Sequence, residues 1–77
     1  MRDQSELSYR HRINRVVAHV QTHLDGDLGG PVLAALAAMS RFHFHRVFAA
    51  MTGITPAAYV QRVRLAAAVA ALRGSTA

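Results

Sequence analysis

Apolar residues recur along this chain in steps of three and four, the spacing that keeps returning to one side of an α-helix. Ile13, Val16, Val17, Val20 and Leu24 form the first such stripe and predict an amphipathic helix from about Tyr9 to about Leu24. The polar residues 1–8 are expected to be a flexible, frayed lead-in, with Ser5 or Ser8 as candidate caps. Asp25-Gly26-Asp27 should end the helix, with Gly26 as terminator. Pro31, after the break at Gly29-Gly30, suits the first turn of a second helix running to about Ala38 with Leu33, Leu36 and Ala37 inward. Phe44, Val47, Phe48 and Met51 set the buried stripe of a third, near Ser40 to Thr52, with Ser40 as its cap and Gly53 as its left-handed close. Thr55-Pro56 pairs a cap with proline at the first helical position and opens a fourth helix to Leu72 or Arg73, ending at Gly74. Tyr59, Val60 and Val63 in its first half are placed to pack on the preceding helix pair. Its second half carries a separate stripe, Leu65, Ala68, Val69 and Leu72. No alternating strand pattern, repeat or long linker interrupts this order, so the prediction is an all-α chain of four helices with a tight turn between the second and third.

With its apolar stripe turned inward, the third helix offers Arg41, Phe42, His45, Arg46, Ala49 and Ala50 to solvent. That face combines guanidinium groups, an imidazole, an aromatic ring and small alanines, and has no carboxylate. A helix that reads the DNA major groove needs such groups: arginine for guanine edges or phosphate, histidine for hydrogen bonding, an apolar group for a thymine methyl. An ordinary solvated face that happens to hold two arginines is the competing explanation.

Charge moves the balance. The chain has 77 residues and a net charge of +5. Arg2, Arg10, Arg12 and Arg15 are matched by Asp3, Glu6, Asp25 and Asp27. From Leu28 onward Arg41, Arg46, Arg62, Arg64 and Arg73 meet no acid at all. The excess positive charge therefore sits on the helix pair and on the residues C-terminal to it, which favours a polyanionic partner. The exclusive use of arginine over lysine suits phosphate and guanine, although a GC-rich genome would produce the same bias.

Other chemistry is poorly supported. A chain this short buries only about 60% of its unfolded surface, which leaves little room for an extended catalytic cleft. There is no cysteine, so disulfides, thiolate metal sites and a cysteine nucleophile are excluded. His19 and His23 share a helix face but have no obvious third ligand. His43 and His45 lie about 200° apart around a helix and cannot chelate together. Neither a catalytic triad nor a glycine-rich phosphate loop is apparent. The expectation is no enzyme activity, no metal and no cofactor. The N-terminus lacks the apolar core of a signal peptide, and no apolar run approaches the roughly 18–20 residues that span a bilayer. A soluble cytoplasmic protein is expected.

At the level of motifs, the chain resembles the first helix-turn-helix of the AraC/XylS family of bacterial transcription regulators. The matching residues are Leu33-Ala34, Ala37 and Ser40 at the turn, then Phe44 and Arg46-Val47-Phe48. They continue with Thr52-Gly53, Thr55-Pro56, Tyr59, Arg64-Leu65, Ala68 and Leu72. Ile13 to Leu24 with Asp27-Leu28 is similar to that family's first helix, so the resemblance covers roughly residues 10–73. It implies a homeodomain-like helix-turn-helix domain over residues 9–73 with a long C-terminal linker helix, and residues 74–77 as a tail. It also implies double-stranded DNA as partner. Phe42, His45 and Arg46 would lie at the major groove with Arg41 near the helix start, Arg62 and Arg64 near the phosphates, and Phe44, Phe48 and Tyr59 in the core; Ala49 on the outer face of the third helix is a further DNA-binding candidate.

The sequence departs from the family pattern in three ways. Ala38 stands where the turn usually has glycine; a left-handed residue with a Cβ costs about 1–2 kcal/mol, so the turn is expected to distort. Gly29 and Gly30 replace a serine or threonine cap and an apolar residue, at a cost of only a few tenths of a kcal/mol for the cap itself. The family's linker helix leads into a second helix-turn-helix, whereas this sequence stops at Ala77. It is thus expected to be a half-module without that element or an effector domain. Leu65, Ala68, Val69 and Leu72 would then be an exposed stripe of the sort that marks an interface. Self-association through residues 65–72 is one expectation; a truncated fragment with a fraying helix end is the other. A sequence-specific transcription regulator is the preferred function. An interaction module that uses the C-terminal helix, with DNA binding weak or lost, is the alternative. A basic membrane-surface peptide is disfavoured because the arginines flank core positions instead of forming one wide polar face.

Overall fold

The computed structural model describes the backbone of residues 2–75 and the side chains of residues 7–74. Helices α1 (Arg2–Thr22), α2 (Gly30–Leu36), α3 (Arg41–Thr52) and α4 (Pro56–Ser75) succeed one another, with no strand among the described residues. Ile13, Val16 and Val20 of α1, Leu33 and Ala34 of α2, Phe44 and Phe48 of α3 and Val60 of α4 meet in one core with Leu28 and Ala37. The three-and-four spacing of these residues explains each helix: every one has a single stripe to remove from water, and the four stripes face one another.

Helix α1 differs from expectation at both ends. It begins at Arg2, well ahead of Tyr9, because residues 2–8 contain neither glycine nor proline and a formed helix extends at little cost. Ser8 accordingly sits inside the helix and does not cap it, while the Ser5 side chain, Met1 and residues 76–77 lie outside the described residues. At the other end α1 stops at Thr22, not Leu24, and Gly26 is not a left-handed terminator; among the described glycines only Gly53 has positive φ. Side chains close the helix instead. The Thr22 hydroxyl donates to the Ala18 carbonyl at 3.0 Å, and its oxygen lies 2.8 Å from His23 Nδ1, which also reaches the His19 carbonyl at 3.0 Å. These groups satisfy carbonyls that a helix end leaves without partners.

Helix α2 is short because it ends at Leu36, two residues before the expected Ala38. Ala38 adopts φ 57°, the left-handed region, with Ala37 as the cap. Its N–H donates to the Ala35 carbonyl and that of Met39 to the Ala34 carbonyl, both at 3.0 Å. These two bonds are the paired closure of a Schellman motif. The turn therefore keeps its geometry with alanine in the glycine position, contrary to the expected distortion. The bonds, together with buried Leu33, Ala34 and Ala37, hold the backbone against the steric penalty. Ala38→Gly should relieve about 1–2 kcal/mol of it and return about 0.4–1 kcal/mol through greater unfolded-state freedom. A net gain of about 0.5–1 kcal/mol, seen as a melting temperature several degrees higher, is the expected outcome. An unchanged or lower melting point would mean that Ala38 is unstrained.

The caps of α3 and α4 match the sequence reading. Ser40 Oγ accepts from the His43 N–H at 3.2 Å, and Thr55 Oγ1 from the Ala58 N–H at 3.2 Å. Gly53, at φ 82°, closes α3 and donates to the Ala49 carbonyl at 2.9 Å. Met51 is the exception within α3: it is 40% exposed, not inward. It lies one turn past Phe48, at the edge of the core beside Arg10, Asn14 and Val17. In α4, Gly74 lies inside the helix and does not end it.

Candidate nucleic-acid interface

The Ser40 cap fixes where α3 starts, and the burial of Phe44 and Phe48 fixes its rotation. Together they settle what α3 shows to solvent. Arg41 and His45 stack as one i, i+4 column, with Phe42 and Arg46 as the next; all four are exposed, Phe42 at 75%. The Arg41 guanidinium carbon lies 5.5 Å from the Phe42 ring centroid, within cation–π range. Ala50 is exposed, whereas Ala49 is half-buried and marks the edge of this face. His43 turns the other way. Its ring meets Tyr9 edge-on at 5.6 Å, and the Arg12 guanidinium lies 5.9 Å from the same Tyr9 ring. Thus the sequence-predicted residues Arg41, Phe42, His45 and Arg46 share one surface, with Ala49 at its margin.

The two arginines of α4 have different surroundings. Arg62 is exposed, beside Leu65, Val69 and Arg73. Arg64 reaches back across the molecule. Its Nε donates to the Leu24 carbonyl at 3.1 Å and its Nη2 to the Gly26 carbonyl at 3.0 Å. The planar guanidinium fork thereby pins α4 to the turn after α1. The family resemblance groups Arg64 with phosphate-facing residues, and only the carbonyls left open after α1 hint otherwise. Arg64→Ala should destabilise the fold by about 1 kcal/mol, since a charge-assisted bond is worth about 1.5–3 kcal/mol and this one is solvent-exposed. Arg64→Lys should recover only part of that, because lysine lacks the fork. Urea melts of the three proteins check this; an unchanged midpoint in the alanine variant would deny the clamp a structural role.

The second apolar stripe of α4 is open to solvent as the sequence predicts. Leu65 and Leu72 are each 67% exposed and Val69 is 39% exposed, with Ala68 also exposed. His19 and His23 stack in parallel at 3.9 Å between ring centroids. Among the described residues no group of three or more His, Cys, Asp or Glu side chains converges as metal ligands would. No helix of the described residues is long and apolar enough to cross a membrane.

Known proteins carry the same pattern. The profile of the family described as "Helix-turn-helix domain" matches residues 33–77, from the buried start of α2 to the end of the chain. A protein of Bacillus subtilis (strain 168), described as the uncharacterized HTH-type transcriptional regulator YbfP, is 31% identical over 66 residues. That match covers 86% of this chain and 22% of the relative, so the chain spans about a fifth of the relative's length. No solved structure matches at a significant level. The α2–turn–α3 geometry, its caps and these matches agree: the chain belongs to the helix-turn-helix family of AraC type.

Proposed function

We propose that residues 9–73 form a sequence-specific double-stranded DNA-binding unit of a transcription regulator, with α3 lying in the major groove. The observation that carries this reading is the exposed α3 face. Arg41, Phe42, His45 and Arg46 stand together on it without a carboxylate, in a part of the chain that has no acid from Leu28 onward. Arg46 is the base-reading group, suited to the O6 and N7 of guanine. Arg41, at the helix start, takes a phosphate or a second guanine. Phe42 meets a thymine methyl, His45 adds a hydrogen bond, and Ala49 lets the helix margin approach closely. Arg62 contacts phosphate, and Arg64 supports the unit through its clamp. Such a protein would work in the bacterial cytoplasm, where the DNA is.

Selection of bound duplexes from a random pool, with sequencing of the survivors at two salt concentrations, tests this reading. An enriched motif the size of one major-groove half-site supports it. Binding that vanishes with salt and enriches nothing reduces the chain to a basic helical domain.

A second reading rests on Leu65 and Leu72, whose exposure makes α4 a candidate interface. In it the chain self-associates through Leu65, Ala68, Val69 and Leu72 and so places two α3 helices on one DNA. Two regularly spaced copies of the motif would support it, and a clean monomer at tens of micromolar by sedimentation would remove it.

A further inference from the structure

The charges of the first 27 residues balance in the sequence but not in space. From Arg12 to Thr22 the chain runs along α1 for about 15 Å, and Asp25 and Asp27 come only after that. This is roughly twice the 8 Å over which physiological salt screens a charge. Asp27 is also engaged in its own turn, where its Oδ1 accepts from the Gly29 N–H at 2.9 Å. No acid stands within four residues of Arg12 on either side, the range over which side chains meet along a helix. Arg12 is therefore an exposed cation that its own helix does not neutralise.

Tyr9, one turn earlier in α1, ties this cation to the reading helix. The Arg12 guanidinium carbon lies 5.9 Å from the Tyr9 ring centroid, within cation–π range. Tyr9 is half-buried and meets the His43 ring edge-on at 5.6 Å. His43 belongs to the first turn of α3, where its N–H donates to the Ser40 cap. A row of contacts thus joins Arg12 to the turn that carries Arg41 and Phe42. Around α3 the exposed face runs from Arg41 through His45 and Phe42 to Arg46, and His43 follows about 60° beyond Arg46. Arg41 borders one edge of that face and the Tyr9–Arg12 mount borders the other. A helix with its side chains is about 10–12 Å across, and the major groove is about 12 Å wide. Groups at the two edges of a seated helix therefore meet the phosphate ridges, not the base edges.

We propose that Arg12 is a DNA phosphate contact contributed by α1 and mounted on the first turn of α3 by Tyr9 and His43. This rests on the duplex-binding function proposed above. The guanidinium fork suits the phosphate oxygens, and the contact carries no sequence information of its own. Its effect is on register: a phosphate contact fixed to the reading helix sets how that helix sits along the duplex. Tyr9 is a positioning residue, since it acts on DNA only through Arg12.

Fluorescence anisotropy of the full chain on the selected duplex and on a scrambled one, across a salt series, tests this. Arg12→Ala should weaken both duplexes by the same factor, about five- to tenfold near 0.1 M salt, and make the slope of log affinity against log salt shallower by about 0.9. Arg12→Lys should keep that slope. Arg15→Ala removes the same charge one turn further from Tyr9 and should cost less than twofold. Tyr9→Leu should weaken both duplexes alone but add nothing to Arg12→Ala, and Tyr9→Phe should bind as the unaltered chain does. Should Tyr9→Leu not fold, the Nε–H signals of the ¹⁵N-labelled unaltered chain decide: that of Arg12 should shift on adding duplex and that of Arg15 should not. Equal losses for Arg12→Ala and Arg15→Ala would overturn the proposal, because net charge would then explain both. A loss confined to the selected duplex would overturn it too, by making Arg12 a base reader. If the unaltered chain binds duplex and Arg12→Ala binds it equally well, this inference falls alone. If the unaltered chain binds no duplex even at low salt, it falls together with the function beneath it. Should no motif emerge, the scrambled duplex carries the same comparison.

Discussion

Phe48→Ala should bring this protein to the edge of unfolding at room temperature. Phe48 is fully buried, with its ring between Phe44 at 5.7 Å and Tyr59 at 5.6 Å between centroids. It is the residue through which α3 packs on both its own preceding turn and α4. Truncating a buried phenylalanine costs about 3–5 kcal/mol in lost transfer energy and cavity formation. Single domains hold only about 5–15 kcal/mol in total, and one this small belongs at the low end. Far-UV circular dichroism with temperature and urea would show the transition shifted by tens of degrees or absent. Phe42→Ala supplies the internal control. It removes the same ring from a site that is 75% exposed, and exposed substitutions stay within about 0.5 kcal/mol. A Phe48→Ala protein as stable as Phe42→Ala would mean that the core does not assemble around α3 as described.

Arg46→Ala should leave folding intact and weaken binding to the selected DNA site by about 1–3 kcal/mol, roughly 5- to 150-fold. The exposed guanidinium at position 46 is not part of the core, so its melting curve should overlay that of the unaltered chain. Affinities by fluorescence anisotropy for the selected duplex, for one with the guanine of the motif replaced, and for a scrambled duplex separate its roles. Loss on the selected site only, with relaxed preference at the replaced base pair, assigns base reading. A similar loss on all three, with a shallower salt dependence, would show that Arg46 holds phosphate.

The features legible in the sequence are those that act over three or four residues. Ser40, Gly53 and the Thr55-Pro56 pair satisfy or terminate backbone groups within their own turn, so their chemistry is local and marks the helix starts directly. The inward positions of Phe44, Phe48 and Val60, and the outward ones of Arg41, Phe42, His45 and Arg46, emerge from periodicity for the same reason. Periodicity gives an angle around a helix but not how far along it the neighbouring helix reaches, hence the misplacement of Met51. Thr22 and His23 close α1 with side chains where glycine is the familiar signal. The Arg64 clamp spans 38 and 40 residues and ends on carbonyl oxygens, which every residue possesses, so no residue type marks its partners.

Helix α4 is continuous in its hydrogen-bonded ladder yet divided in what supports it. Up to Arg64 it is held by Val60 in the core and by the clamp on the α1–α2 turn; beyond Arg64 nearly every described residue is exposed. A helical segment of some ten residues with little burial is marginal in water. The two halves therefore belong to different opening units: amides of the first exchange only when the core opens, those of the second by local fraying. Any chain that settles on Leu65, Val69 and Leu72 must first supply the ordering of that second half. Affinity at that surface is thereby set partly by the helix propensity of residues 65–75, so an alanine-to-glycine change on its far side would tune docking without touching the partner.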